Sequence, residues 1–242
     1  MKIRTKIVEY DPKKPIYVAS DAHLGGKDSA DNAVASKAGL EWMMTGARKK
    51  WFWTICGDWF EAWQYDIEDI YKAWPEETSW AMEQMIINGN HDDTDDGLSI
   101  GIDLLIIIWG DLKVGIIHDP TLEYRGLKKK ACKWAVRWIW KPIEMAIGWK
   151  KGKELSSGLD KDYTPFRDKA YKFAKGNRLD IIVYGHTHEK PFVKQMGSVK
   201  VINSGCFQDG RNEYVKLAQT VAKTRGEIWR TDRKKAKKLA TG

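Results

Sequence analysis

The chain has five histidines, and each lies in a short polar cluster that follows an apolar run. They are His23 in Ser20-Asp21-Ala22-His23, His91 in Gly89-Asn90-His91-Asp92, His118 in Ile117-His118-Asp119, and His186 and His188 in Gly185-His186-Thr187-His188. Cys56-Gly57-Asp58 adds a carboxylate to the same series, and Asn90 adds a neutral carbonyl oxygen. Imidazole and carboxylate together suit Mn, Fe and Zn. Asp58, just past a glycine, is placed to approach two cations and bridge them. Asp21-x-His23 and His186-x-His188 each put two ligands at one strand end, with side chains expected on the same side because a strand repeats every second residue. His118 completes a second site. Two metals about 3.5–4 Å apart clamp the attacking and departing oxygens of an in-line displacement at phosphorus. They also acidify a bound water, to a pKa of about 7 at a single zinc, so the expected nucleophile is a metal-bound hydroxide. His91 has no ligand role in this arrangement. It is assigned to stabilising transition-state charge or protonating the leaving oxygen, with Asp92 expected to fix its tautomer and raise its basicity. One such motif alone is ordinarily structural; five in one order are not a chance pattern.

Several elements must position these residues. Ile16 to Ser20, Trp51 to Cys56, Met85 to Ile87, Val114 to Ile117 and Leu179 to Tyr184 are short, apolar on both faces and rich in β-branched or aromatic residues. They predict buried strands. Leu104 to Trp109, Gly110-Asp111, and Lys113 to Ile117 predict a hairpin, and Val199 to Ile202 another strand. Helical spacing covers Ala30 to Met44 and Phe60 to Trp74. Thr164-Pro165 and Gly176 bracket a helix over Pro165 to Lys175. Strands alternating with helices argue a layered α/β domain, in which ligands gather beyond the carboxyl ends of the strands. The polar clusters stand at those ends.

Charge is unevenly distributed. The net +8 includes ten Lys/Arg against one Glu from Arg125 to Lys153, and seven Lys/Arg against two acids from Arg225 to Lys238. The remaining body is mildly acidic. In the first segment Trp134, Trp138, Ile139, Ile143 and Ile147 recur at helical spacing among the basic residues, and Pro142 is expected to kink or split the helix. Trp with Lys/Arg on one amphipathic helix suggests an interfacial or lipid-facing element; the alternative is a helix that buries its tryptophans on the main body. The second segment is expected to be a solvated, frayed tail. The organisation is therefore a single domain over 1–242 with a helical cap inserted at about 122–162 and a basic tail at about 225–242. Three scattered cysteines favour a reducing compartment. Met1 to Lys6 lacks the apolar run of a secretory signal, and Leu104 to Trp109 is too short to span a bilayer. The expected location is cytoplasmic, with contact to the inner membrane surface through the cap.

The ordered set Asp21-x-His23, Gly57-Asp58, Gly89-Asn90-His91-Asp92, His118 and Gly185-His186-x-His188 resembles the signature of calcineurin-like metallophosphoesterases across about residues 16–206. The resemblance implies a sandwich of two mixed β-sheets flanked by helices. It implies that Asp21, His23, Asp58 and His188 hold one metal and that Asp58, Asn90, His118 and His186 hold the other. The two divalent ions would be Mn2+, with Fe, Zn or Mg as alternatives. Asp21-Ala22-His23-Leu24-Gly25 and Gly57-Asp58-Trp59-Phe60-Glu61-Ala62-Trp63 further resemble the UDP-2,3-diacylglucosamine pyrophosphohydrolase branch, whose inserted cap receives acyl chains. The chain departs from the usual pattern in having Asp119-Pro120 after His118 and two residues between His188 and Pro191.

The leading expectation is a hydrolase of a phosphoester or pyrophosphate bond, on a phosphorylated substrate such as a nucleotide-linked lipid. A nuclease or nucleotide phosphodiesterase is the alternative enzyme, its basic segments gripping phosphates and its tryptophans stacking on bases. A non-catalytic scaffold or a membrane-binding protein on the same fold comes third, because no ligand has been lost.

Overall fold

The computed structural model describes residues 3–28, 30–92, 101–121, 132–147, 164–220, 223–232 and 235–241. Strand β2 (Ile16–Ala19) is buried on both faces. Ile16 and Val18 enter one apolar cluster while Tyr17 and Ala19 enter another. That division follows from the two-residue repeat of a strand packed between two layers. β2 pairs in parallel with β3 (Phe52–Cys56), which pairs in parallel with β4 (Met85–Ile87). On its other side lie β10 (Glu213–Thr220), β11 (Lys223–Asp232) and β12 (Lys235–Thr241), giving the order β12-β11-β10-β2-β3-β4.

The second sheet has the order β1-β5-β6-β7-β9-β8, built from β1 (Thr5–Tyr10), β5 (Leu104–Trp109), β6 (Leu112–Ile117), β7 (Ile181–Tyr184), β8 (Phe192–Met196) and β9 (Val199–Asn203). β5 and β6 form the expected antiparallel hairpin, while β6, β7 and β9 run parallel. Ile16, Val18, Ile87, Ile107, Ile116 and Val183 belong to the core shared by the two sheets. Helices α1 (Lys37–Met44), α2 (Ile67–Ala73) and α3 (Pro75–Met82) cover the outer face of the first sheet, and the helix Thr164–Gly176 covers that of the second through Ala170 and Ala174. This is the expected sandwich of two mixed sheets flanked by helices.

Several expectations require correction. The segment from Ala30 begins as a 3-10 turn, Asn32–Ser36, whose entry is fixed by the Asp31 carboxylate accepting the Ala33 N–H at 2.9 Å. Phe60 to Asp66 is not helical. The Phe60 N–H is taken by Asp92 and the Glu61 N–H by the Leu24 carbonyl, so the chain there is held by tertiary bonds and α2 starts only after Asp66. Pro142 does not split its helix. Residues 132–147 stay helical, with a π turn at Val136–Trp140 in which the Lys141 N–H reaches the Val136 carbonyl. A π turn directly before a proline shifts the hydrogen-bond frame where the ring removes a donor. The rest of the expected cap, 122–131 and 148–162, lies outside the described residues. The basic C-terminal segment is no frayed tail: β11 and β12 pair antiparallel, and Lys237 and Lys238 of β12 stand exposed on a sheet edge, where charge discourages further pairing. No helix of the described residues is long and apolar enough to cross a membrane.

Candidate metal centre

The ligand-type residues all follow carboxyl ends of strands. Asp21 and His23 come after β2, Asp58 after β3, Asn90 and His91 after β4, His118 directly after β6, and His186 and His188 after β7. The loops bind one another: Asp21 N–H donates to the Gly57 carbonyl, His23 N–H to the Asp58 carbonyl, and Gly185 N–H to the His118 carbonyl. A one-sided strand alternation does not place Asp21 and His23. Both lie beyond the end of β2 at positive φ, 55° and 49°, and Asp58, His186 and His188 adopt φ of 49°, 70° and 49°. Five of the nine described non-glycine residues in that region are therefore candidate ligands. Such conformations cost on the order of 1–3 kcal/mol each and cluster where surrounding structure over-determines them for function. Gly89 shows how tight the packing is, because a Cβ there would collide with the Asp58 backbone and carboxylate.

Three groups of ligand atoms converge: Asp21, His23 and His188; His23, Asp58 and His91; and Asp58, His118 and His186. Within each group the atoms lie within 4.8 Å of one another. Asp58 Oδ2 is 3.0 Å from His118 Nε2 and 3.8 Å from His23 Nε2, so it stands between the outer two groups. Asp21 Oδ1 is 3.0 Å from His188 Nε2, and Asn90 Oδ1 is 2.8 Å from His186 Nδ1. The Nε2 atoms of His23 and His118 are buried without a hydrogen-bond partner. Their Nδ1 atoms are held, by Glu61 at 2.6 Å and by the Cys56 carbonyl at 2.8 Å. An imidazole oriented through one nitrogen, with the other buried among carboxylates and making no hydrogen bond, has the arrangement of a metal ligand. The residues present thus fit divalent cations.

Electrostatics agree. Burial opposes charge on His23, yet the Glu61 hydrogen bond and the nearby Asp58 and Asp21 carboxylates push its pKa up to about 9. Burial likewise opposes His118, but Asp58 and Asp21 raise it to about 10. Burial would raise Asp58 and Asp21, and the surrounding imidazoles hold both below the usual carboxylate range. Burial and the His118 charge push His186 down to about 4. The pocket is a concentration of negative charge that favours a cation at its centre.

The partner of His91 differs from expectation. Glu61, not Asp92, holds it, with Glu61 Oε1 2.6 Å from His91 Nδ1. Asp92 is fully buried and accepts the backbone N–H groups of Asp58, Phe60 and Gly89 at 2.7, 2.9 and 2.8 Å. Its work is to shape two loops. Burial and the Asp58 charge raise its pKa to about 6. Glu61 bridges the two histidines, its other oxygen on His23, and the pair draws its pKa down to about 2 against its burial. The spacing Asp58-x-x-Glu61 is the available signal for this residue. Trp63 is a further participant: its ring stacks on His91 at 4.0 Å and 17°, and its Nε1–H donates to the Asn90 carbonyl. Gln208 Nε2 lies 2.7 Å from His188 Nδ1, and no spacing in the sequence points to it.

With that geometry in place, comparison with known proteins assigns the family. Residues 14–190 match the profile of the calcineurin-like phosphoesterases. The chain belongs to the calcineurin-like phosphoesterase family. Among solved structures, Vps29 from Chaetomium thermophilum superposes with a TM-score of 0.53 at 11% identity, covering 93% of this chain and 96% of that one. Vacuolar Protein Sorting 29 from Cryptosporidium parvum gives 0.50 at 14% identity, covering 95% and 96%. A predicted phosphoesterase from Streptococcus pneumoniae gives 0.48 at 14%, covering 93% and 97%. At these identities the likeness concerns the fold. No curated protein matches the chain. For a member of the calcineurin-like phosphoesterase family, the convergent His/Asp groups are where divalent metal would be held.

Proposed function

We propose that this chain is a metal-dependent hydrolase of a phosphoester or pyrophosphate bond. The observation that carries the proposal is that two buried imidazole Nε2 atoms, on His23 and His118, face the same Asp58 oxygen at 3.8 and 3.0 Å, and neither makes a hydrogen bond. Asp21, His23, Asp58 and His188 would hold one divalent ion; Asp58, Asn90, His118 and His186 would hold the other. Mn2+ is the proposed metal. Two such ions supply Lewis acidity toward phosphoryl oxygens and make hydroxide available at neutral pH.

The protein's own groups do the rest. Glu61 accepts from His91 Nδ1 and leaves the His91 Nε2 atom to carry a proton toward the leaving oxygen. Trp63 covers one face of that imidazole and limits its exchange with solvent. Asp92 ties the loops after β3 and β4 together through three backbone donors, so that Asp58 and His91 keep a fixed separation. The His91 N–H completes the tie by donating to Asp58 Oδ1 at 2.8 Å.

For substrate we propose a nucleotide-linked lipid. The support is the position of the cap helix, which binds the Ala62 to Asp66 segment directly after Glu61. The test is a panel of UDP-linked lipids, mononucleotides, aryl phosphodiesters and oligonucleotides, assayed with Mn2+ after chelator treatment, with Mn2+ binding followed by calorimetry. Binding of two ions and turnover lost in Asp58→Ala support the proposal. Turnover that survives Asp58→Ala rejects the two-metal site, and faster cleavage of oligonucleotides than of the lipids rejects the substrate.

A further inference from the structure

The imidazoles of the site differ in what faces their second nitrogen. His23 Nδ1 meets the Glu61 carboxylate and His118 Nδ1 meets the Cys56 carbonyl. Both partners are acceptors, so each ring can keep a proton on Nδ1 while Nε2 binds a cation. At His188 the partner is a donor. Gln208 Nε2 lies 2.7 Å from His188 Nδ1 and 3.1 Å from its Nε2. With the amide so placed, Nδ1 accepts and the ring proton sits on Nε2. That N–H then donates to Asp21 Oδ1 at 3.0 Å. The nitrogen proposed to hold a cation is thus covered by its own proton.

Ligation through Nε2 moves that proton to Nδ1, where it would meet the Gln208 NH2 group, donor against donor. A half-turn of the amide removes the conflict by presenting Oε1 to the ring. The half-turn reaches Asn32 as well. Asn32 Nδ2 donates to Gln208 Oε1 at 2.7 Å, while Asn32 Oδ1 is buried with no hydrogen-bond partner. Once Gln208 turns, its NH2 group faces Asn32, and the second amide, turned in the same way, offers Oδ1 to it. The oxygen that lacks a partner is the acceptor that the turned arrangement uses. The backbone under both amides is held. The Phe207 N–H donates to the Ser20 carbonyl and the Arg211 N–H to the Gln208 carbonyl, each at 3.0 Å. The Gly210 N–H donates to Ser36 Oγ at 3.0 Å, which ties this loop to the 3-10 turn that carries Asn32. Gln208 is only 4% exposed, so water does not readily substitute for either partner.

We propose that Gln208 is a positioning residue of the metal site formed by Asp21, His23, Asp58 and His188, with Asn32 as its support. The two amides turn together and hold His188 in the tautomer that binds a divalent cation. This role rests on the proposed metal-dependent function and adds to it the groups that set one ligand. Amides that merely pinned the loop to the turn would contribute to stability and leave the His188 proton where it is.

The experiment compares the full chain with Gln208→Met and Asn32→Asp. Mn2+ binding to the chelator-treated proteins is followed by calorimetry. The His188 tautomer is read by nitrogen NMR of histidine-labelled protein, chelated and then loaded with diamagnetic Zn2+, with His188→Gln identifying the signal. In the parent the proton should sit on Nε2 when chelated and on Nδ1 when loaded. Gln208→Met should lose about 10–100-fold in affinity at one of two Mn2+ sites and keep the other. Asn32→Asp offers Gln208 an acceptor only, so the Gln208 oxygen stays on the ring. That variant should carry the proton on Nδ1 even when chelated and bind Mn2+ at least as tightly as the parent. It also decides the matter where Gln208→Met does not fold. The same tautomer in chelated and loaded parent overturns the proposal. So does a chelated Asn32→Asp protein with the proton on Nε2, or a Gln208→Met protein that loses thermal stability and keeps both Mn2+ affinities. A parent that binds no divalent ion refutes the metal-dependent function and this role with it, whereas two bound ions with no response in Gln208→Met refute this role alone.

Discussion

Replacing Glu61 by glutamine is the most discriminating perturbation of the candidate site, because it keeps the shape of the side chain and removes its symmetry. The two Glu61 oxygens each lie 2.6 Å from an imidazole Nδ1, one on His23 and one on His91. A carboxylate accepts from both. An amide has one oxygen and one NH2 group, so one imidazole must face a donor and move its proton to Nε2. If that imidazole is His23, the proton occupies the atom that would bind metal. If it is His91, the ring can no longer be charged without a clash between donors. A hydrogen bond to a charged group is worth about 1.5–3 kcal/mol, and outer-sphere replacements cost about 10–100-fold in metal affinity or activity. Glu61→Gln is therefore expected to lower kcat on an aryl phosphodiester by about 10–100-fold and to shift the Mn2+ midpoint upward. The two effects separate in a Mn2+ titration. Excess metal recovers the His23 part and leaves the His91 part. A folded Glu61→Gln protein with the parent's kcat and the parent's Mn2+ midpoint would refute the bridging role.

Other perturbations test other parts of the scaffold. Gly89→Ala forces a Cβ into the Asp58 backbone; displacing a reacting group by about 1 Å can cost about 100-fold, so kcat should fall by that order, and an unchanged rate would show that the loop yields freely. Arg137→Ala removes a donor from three carbonyls, and a loss of about 1–2 kcal/mol should lower Tm by several degrees, read by thermal denaturation against Arg137→Lys. In the chelator-treated protein, His23 and His118 have folded pKa values of about 9 and 10 against an ordinary 6.5. Their contribution to stability is complete below about pH 6.5 and is lost as pH rises through 9 to 10, so Tm should fall over that window. Metal binding should strengthen over the same window because the ligands must release protons; a chelated protein whose Tm climbs from pH 7 to 10 contradicts the assignment.

Much of the fold is legible because its strands are apolar on both faces. Ile16 to Ala19, Met85 to Ile87 and Ile181 to Tyr184 are fully or nearly fully buried and stand where their sequence predicts strands. Among the strands that escape such reading, β1, β8 and β12 are sheet edges, whereas β10 and β11 lie inside the first sheet. β1 is largely exposed, β8 has two exposed polar residues, and β12 is lysine-rich, so none carries a clear apolar pattern. Phe60 to Trp74 misleads for another reason. Its spacing suits a helix, but the backbone N–H groups of Phe60 and Glu61 are claimed by groups distant in sequence. In the site, every ligand-type residue is identifiable from residue type and order. The partner of His91 is not, because chain adjacency favours Asp92 whereas Glu61 reaches the ring from 30 residues away.

The backbone at the site explains why so many loops had to be held together. Asp21, His23, Asp58, His186 and His188 all sit at positive φ, where a Cβ is disfavoured. Each loop alone would relax to a commoner conformation. They are prevented by bonds that cross between strands: Asp21 to Gly57, His23 to Asp58, Gly185 to His118, and the Asp92 carboxylate across the turns at Asp58 and Gly89. The aim of each ligand is therefore a property of its neighbour's loop, not of its own sequence. Asp92→Asn follows directly as a test. An amide cannot accept from three N–H groups while offering none of its own hydrogens to them, so the substituted side chain leaves at least one buried donor opposed. With about 1–3 kcal/mol for each unsatisfied group, the variant should be destabilised by that amount and should lose Mn2+ affinity although Asp92 touches none of the proposed ions. A stable Asp92→Asn protein with undiminished Mn2+ binding would mean that the loops hold their strained shape without the carboxylate, and that the control assigned to it lies elsewhere.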